Sequence, residues 1–434
     1  MLPVLVQTPF DRAVARLDAW LETMRGADGY GGPVAHWWQQ SLVYTGAGLD
    51  WRYEGIIAGY LQLWERSGDP CWLAKAQRAG DDLVAGQQEH GHYAASAFEI
   101  NPATAGTPHE AACDVGLLLL AGMLRKARRQ GWERYAACAE HNLRAFYLGQ
   151  LWDAKSRSFR DYPLVPSFVP NKAATTCEAL FLLAEISRDS RWVEQYAIPT
   201  LNRILEHQVR GGALDGAIAQ NSFGTHMIAK YFPIYIARCV PALLCGYRWT
   251  NDEQYADCAL RAMRFVARWA NIDGSFPTVI YANRRVNRYP CWIAPLGDVL
   301  RAADELRSYG FDADLDATLQ WLLAGQDESG GIQTASGFAG QAGGQPAMAP
   351  DVRDVLHVVG WCDKAFRYLA SHAGPEPPAG ISAPFAVTCT FQGQALRLVE
   401  TPEVLEVSSR RGVCYRWRKG EPWAVVAAPE FWLR

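Results

Sequence analysis

Charged side chains recur where apolar helical stretches begin. Asp50, Arg52 and Glu54 precede the run GIIAGYL. His109, Glu110 and Asp114 open the stretch HEAACDVGLLLL, and Lys172 and Glu178 lie in NKAATTCEALFLLAEI. Further along come His226, Lys230 and Tyr231, then Asn287, Arg288 and Tyr289, then Asp351, Arg353, Asp354 and His357. Acids in a first turn complement the helix dipole, so Asp50 or Asp351 alone could be an N-cap. Cations are unfavourable at that end. Arg52, Lys172, Lys230, Arg288 and Arg353 therefore need either the nearby acids or an anionic ligand. Paired carboxyls do general acid–base work. A His or Tyr beside cations can take a proton next to a carboxylate and hold the charge that develops.

Three loops add donors and rings. GPVAHWWQQSLVY carries Trp37 and Trp38, AIAQNSFGTH carries Asn221 and His226, and TVIYANRRVNRYPCW carries Arg288, Tyr289 and Trp292. Arginine forks suit carboxylates, and Trp faces suit either sugar rings or core packing. The chain has no GxxxxGK[ST], no GxGxxG after a strand, no GxSxG and no HExxH. EHGHY offers two His without further ligands at metal spacing, so neither a metal nor a cofactor is expected.

The elements that must position these residues form a repeat. Amphipathic stretches at about 10–25, 71–87, 132–151, 190–208, 252–270 and 312–326 alternate with more apolar ones. The apolar set lies at about 50–66, 108–128, 172–187, 225–249, 287–307 and 351–371. Glycine-rich turns such as GQQEHGHY, HQVRGGAL, NIDGSFP and GQDESGGI follow the amphipathic members. The alternation predicts an all-α fold, an (α/α)6 toroid over 1–372, with six inner and six outer helices. The long loops then gather at one end, where every inner helix starts. After SHAGPEPPAGISAP, Pro and Gly stop the helices, and short alternating runs over 383–434 predict a small antiparallel β appendix packed on the toroid.

The 434 residues are 49% hydrophobic and 20% charged, a globular balance, and a net charge of -3 gives no reason to expect nucleic acid. Eleven scattered cysteines without a CxxC pair read as buried thiols in a reducing compartment. No apolar run reaches the ~18 residues of a membrane span. The N-terminus lacks a basic region before an apolar one, so a cytoplasmic protein, monomeric or homodimeric, is expected.

The helical alternation and the DGSF, ESGGI and HGHY turns resemble the six-hairpin glycosidase superfamily over about 10–371. That superfamily includes unsaturated glucuronyl hydrolases and, more distantly, toroid polysaccharide lyases. The resemblance implies a carbohydrate-active enzyme, led by a glycoside hydrolase on an acidic, uronate-containing oligosaccharide. Under that reading Asp354 and Glu110 are the acid and base, with Asp50 and Glu54 as second choices. Arg288, Arg353 and Lys230 bind the carboxylate, with His109, His357, Asn221 and Tyr289 beside them, and Trp37, Trp38 and Trp292 are stacking platforms. A uronate lyase or epimerase would use His226 and Tyr231 instead. The turns also resemble those of toroid terpene cyclases, although DxDD and DDxxD are missing. A terpenoid-type cyclase or a non-catalytic glycan-binding toroid is the remaining alternative.

Overall fold

The computed structural model describes residues 8–34, 43–44, 46–94, 109–340 and 349–427. Twelve of its helices or helix groups alternate in two rings, an (α/α)6 toroid. The outer members are α1 (Pro9–Thr23), α3 (Pro70–Gly86), α5 (Trp132–Asn142, continued as a π-helix to Leu151), α7 (Ile198–Glu206), α10 (Glu253–Arg268) and α12 (Asp316–Ala324). The inner ones are α2 (Arg52–Ser67), α4 (Glu110–Lys126), α6 (Pro170–Ser187), the pair α8 (Pro233–Ala237) and α9 (Val240–Thr250), α11 (Leu296–Leu306) and α14 (Val359–His372). A one-turn helix, α13 (Val352–Val355), precedes α14.

Local signals set these starts. Thr8 closes a capping box with Asp11 ahead of Pro9, Asp69 caps α3 ahead of Pro70, and Asp252 caps α10. Burial follows the periodicity. α10 buries Tyr255, Cys258, Ala259, Ala262, Met263 and Val266 on one stripe, whereas α6 is buried on nearly every side.

The inner ring closes where α14 packs on α2. The helices approach closely there: a Cβ on Gly55 would lie 2.3 Å from the Asp363 carbonyl oxygen, and one on Gly59 2.5 Å from the Phe366 ring. The outer ring closes through the repeated turns. Gln208 Nε2 donates to the carbonyls of Gly216 and Cys258, and Gln326 Nε2 to those of Gly330 and Ala13. Gln87 does the same with Gly91 and Cys138. Each glutamine therefore ties its own turn to the next outer helix. The turn glycines have positive φ and lie flat on that helix, Gly330 against the Arg16 carbonyl at 2.2 Å from an added Cβ.

The C-terminal sheet has five antiparallel strands in chain order, from Phe385–Phe391 to Val425–Val426. Glu400 anchors it. Its carboxylate accepts from Trp20 Nε1 at 2.7 Å and Lys419 Nζ at 2.7 Å, and meets His357 Nδ1 at 2.6 Å. No helix among the described residues is long and apolar enough to cross a membrane.

Gly330 and Gly310 both have positive φ, but an added Cβ on Gly310 meets nothing within 4 Å. Gly310→Ala should therefore cost only the left-handed backbone term, roughly 1–2 kcal/mol. Gly330→Ala should cost at least about 1 kcal/mol more through overpacking. Urea unfolding of the two variants checks the order, and equal losses would mean that the turn does not clamp α1.

Candidate functional site

The inner-helix starts surround one cavity of about 290 Å³ on the toroid axis. Each inner helix supplies two residues one turn apart, which is the spacing that stacks side chains on one helix face. They are Trp51 and Glu54 at α2, His109 and Ala112 at α4, and Lys172 and Thr175 on α6. Tyr235 and Arg238 come from α8, Pro295 and Asp298 from α11, and Trp361 and Lys364 from α14. The loops add Asp161, Gln220 and Asn221.

The aromatic wall is fixed from behind. Trp51 Nε1 donates to the Gly360 carbonyl at 2.6 Å, and its ring meets His109 edge-on at 4.8 Å and Trp361 at 5.7 Å. A Cβ on Gly360 would lie 2.4 Å from the Trp51 indole nitrogen, so this seat needs glycine. Trp292 is buried behind Trp361, at 5.6 Å, and supports the wall rather than lining it.

Beneath the wall lies a buried ionic network. Arg238 Nη2 donates to both oxygens of Glu54 at 2.9 Å, and its Nη1 pairs with Glu178. Arg367 also donates to Glu54, and Arg301 reaches Glu178 at 3.4 Å. Burial opposes the Glu54 charge. Arg238, Arg367, Lys364 and Arg301 outweigh it and hold the carboxyl well below the usual range. Lys364 pairs with Asp363 at 2.7 Å and donates to the Trp51 carbonyl at 3.1 Å. Asp161 pairs with Lys172 at 2.8 Å. Asp298 is the cavity acid with no side-chain hydrogen bond or ion pair among the described residues, although the Arg238 charge acts on it.

The expected site residues separate into groups. Glu54, His109 and Asn221 line the cavity. Asp50 lies outside it, accepting from Arg52 N, Nε and Nη2, and Asp351 holds Arg353 through the same kind of contact. These D-x-R pairs neutralise themselves. Arg353 stacks on Phe338 and Phe391 and so serves the sheet junction. Glu110 is fully buried away from the cavity, accepting from Asn142 Nδ2 at 2.6 Å and the Tyr93 amide at 3.3 Å, with His92 at 3.1 Å. Asp354 accepts from the amides of Phe338 and Asp351. Its burial, in spite of these bonds, pushes its pKa up to about 7. Its role is to close a loop.

His226, Lys230 and Arg288 are exposed, while Tyr231 is buried and Tyr289 half-buried; none lines the cavity. The reason is a shift in helix starts. Residues expected in first turns at 226–231 and 287–289 lie in strands or loops, and α8 and α11 begin later, at Pro233 and beside Pro295. Proline at a first turn was the available signal. α14 likewise starts after α13, so Trp361 and Lys364 replace Asp354 and His357 at the cavity. Trp37 and Trp38 lie outside the described residues. Besides the residues on the late-starting helices, Trp51 and Asp161 line the cavity without a sequence signal: Trp51 stands just before the periodic run of α2, and Asp161 sits in a loop without periodicity.

The sequence matches no family model and no curated protein. Solved structures share its fold. An unsaturated glucuronyl hydrolase from Bacillus sp. GL1, described as responsible for glycosaminoglycan degradation, matches at TM-score 0.58 and 14% identity, covering 83% of this chain and 95% of its own. A cellobiose 2-epimerase from Bacillus thermoamylovorans B4167 matches at TM-score 0.61 and 11% identity, over 84% and 98%. A D-mannose isomerase matches at TM-score 0.61 and 11% identity, over 85% and 99%. The toroid expected from the helical alternation is thus the fold of these six-hairpin proteins.

His357, expected to bind substrate, instead joins the sheet to the toroid, with Asp327 at 2.6 Å on one nitrogen and Glu400 at 2.6 Å on the other. Burial disfavours its charge, but the two acids outweigh burial and push its pKa up to about 10. A raised histidine contributes its full stability below its unfolded pKa, near 6.5, and loses it as pH climbs through about 10. His357→Gln should cost about 3–5 kcal/mol at neutral pH, because it removes the cation that Asp327 and Glu400 share, Glu400 keeping only Lys419 and Trp20. It should also flatten the decline between pH 7 and 10. Unfolding free energies across that window check this, and an unchanged slope would exclude His357 as its source.

Proposed function

We propose that the protein is a carbohydrate-active enzyme and, within that class, a glycoside hydrolase acting on an acidic, uronate-containing oligosaccharide. The observation that carries this reading is the axial cavity itself, which sets carboxylates from different parts of the ring against a tryptophan wall. Glycoside hydrolysis uses two carboxyls across the scissile bond, about 5–9.5 Å apart. Asp298 has no side-chain hydrogen bond or ion pair among the described residues and is the candidate for proton transfer. Asp161, paired with Lys172 at 2.8 Å, is the candidate for the second carboxylate. Trp51 and Trp361 offer faces for a sugar ring, and Lys172 is placed to meet a sugar carboxylate. The fold neighbours named as unsaturated glucuronyl hydrolases support the same class.

His109 favours a second reading. It stands at the cavity against Trp51, where a histidine base could take a proton from a sugar carbon, as an epimerase or lyase requires. Turnover of neutral oligosaccharides, saturated uronate oligosaccharides and 4,5-unsaturated uronides separates the two. Loss of the unsaturated uronide's ultraviolet absorbance supports the hydrolase. A rise on saturated uronates supports a lyase, and epimerised product without new reducing ends supports the epimerase. No turnover on any of them overturns the reading.

Asp298→Asn should lower kcat by about 10²–10⁴-fold, the usual worth of a general acid or base. Its melting temperature should stay near wild type, because Asp298 braces nothing. Glu110→Gln should show the reverse, a clear loss of stability with a far smaller effect on kcat. If Asp298→Asn turns over normally, Asp298 is not the proton-transfer group.

A further inference from the structure

A second pocket, about 540 Å³ in volume, lies behind one wall of the axial cavity. That wall is a three-stranded antiparallel sheet of Ser167–Phe168, Asn221–Phe223 and His226–Ile228. Successive side chains on a strand face opposite ways. Asn221 accordingly lines the axial cavity and Ser222 the second pocket, and the neighbours Asp161 and Arg160 divide in the same manner.

Among the described residues, several polar side chains of the second pocket have a buried atom without a hydrogen-bond partner. Ser222 is 1% exposed, and its hydroxyl has no hydrogen bond. The Ser167 hydroxyl is also unpaired. His207 is 4% exposed, with Nδ1 against the Arg203 carbonyl at 2.7 Å and no partner on Nε2. A carbonyl accepts only, so Nδ1 carries the proton and Nε2 is an open acceptor. Burial lowers the His207 pKa, which keeps the ring neutral.

The same pocket holds a guanidinium with no ion pair. Arg203 lies over the Phe168 ring at 4.7 Å and donates to Ser158 Oγ at 2.9 Å and to the Gly224 carbonyl at 3.3 Å, but no carboxylate lies within 4 Å of it among the described residues, the Glu206 and Asp153 charges acting on it only from farther away. The pocket's own acids do not supply one. Asp153 is engaged by Arg160 at 3.1 Å and by Ser156, and Glu206 is exposed at the rim. An acceptor that wants a hydroxyl, two serine hydroxyls and an unpaired guanidinium together describe a hydroxylated molecule with one negative group.

We propose that this pocket binds a single anion-bearing sugar unit, separately from the axial cavity, with Arg203 on the anionic group and His207 and Ser222 on ring hydroxyls. A uronic acid and a phosphorylated sugar share this chemistry. The proposal does not rest on the activity proposed above.

Calorimetric titration of the full chain tests it, with glucuronate, glucose 6-phosphate, glucose and inorganic phosphate as probes. Glucuronate or glucose 6-phosphate should bind saturably, and whichever binds identifies the anion. Glucose should not. Arg203→Gln should weaken that site at least tenfold, and Ser222→Phe, which fills the pocket floor without touching a charge, should remove it. Asp298→Asn should retain it, so loss of turnover in that variant and loss of pocket binding are separate results. Circular dichroism verifies that each variant folds. Should Ser222→Phe unfold, half-buried Arg203 still provides the test. Unchanged binding in Arg203→Gln overturns the proposal. Inorganic phosphate binding as tightly as glucose 6-phosphate overturns its sugar part, because the hydroxyl contacts would then contribute nothing.

Discussion

One glutamate shared among arginines holds the axis of this toroid. Glu54 on α2 takes hydrogen bonds from Arg238, at the end of α8, and from Arg367 on α14, while Glu178 on α6 takes Arg238 and Arg301 of α11. Five of the six inner helices meet in this network. Packing between neighbours fixes each helix only to the next, whereas these ions brace the ring across its centre. Such a brace stabilises only while complete, since removing one partner from a buried pair costs about 3–5 kcal/mol by stranding the other. Three arginines face two glutamates, and Glu305 supplies a third carboxylate by pairing with Arg301 at 2.8 Å.

The outer ring solves the same closure problem with neutral groups. Gln87, Gln208 and Gln326 each bridge a turn carbonyl and a carbonyl of the next outer helix, and the last of them reaches α1. A side-chain amide has two donors and a carbonyl two lone pairs, so each glutamine serves its own turn with one donor and a carbonyl inside the next outer helix with the other. The outer helices can then stay amphipathic and charged on their solvent face. The inner ring has no solvent face and uses ions instead.

This division explains what the sequence revealed. Alternating amphipathic and apolar stretches report burial directly, and the recurring glutamine and glycine report the turns, so the toroid and its β appendix were both readable. Charges report less. DWR and DVR look like site residues, but each aspartate closes on its own arginine within two positions. His357 and Glu110 look like site residues for the same reason, and each is consumed by buried partners. Glu54 shows that burial and position at the cavity are compatible, which no pattern distinguishes in advance. The late starts of α8 and α11 moved the first turns by several residues, and a shift of that size exchanges every side chain at the cavity for another.

The sheet between the two pockets is governed by the same sensitivity on a smaller scale. In a strand the faces alternate with period two, so a slip of one residue would turn Asn221 away from the axis and bring Ser222 into it. Register there is pinned by Ser167–Phe168 on one side and by the Asn221–Phe223 to His226–Ile228 hairpin. Phe168 contributes twice, packing on His207 at 4.9 Å and lying under Arg203. The residues that give the second pocket its polarity thus rest on the strand pairing that aims Asn221 at the axial cavity. Neither pocket can change its lining by moving this sheet without changing the other, which makes the wall a shared constraint on both.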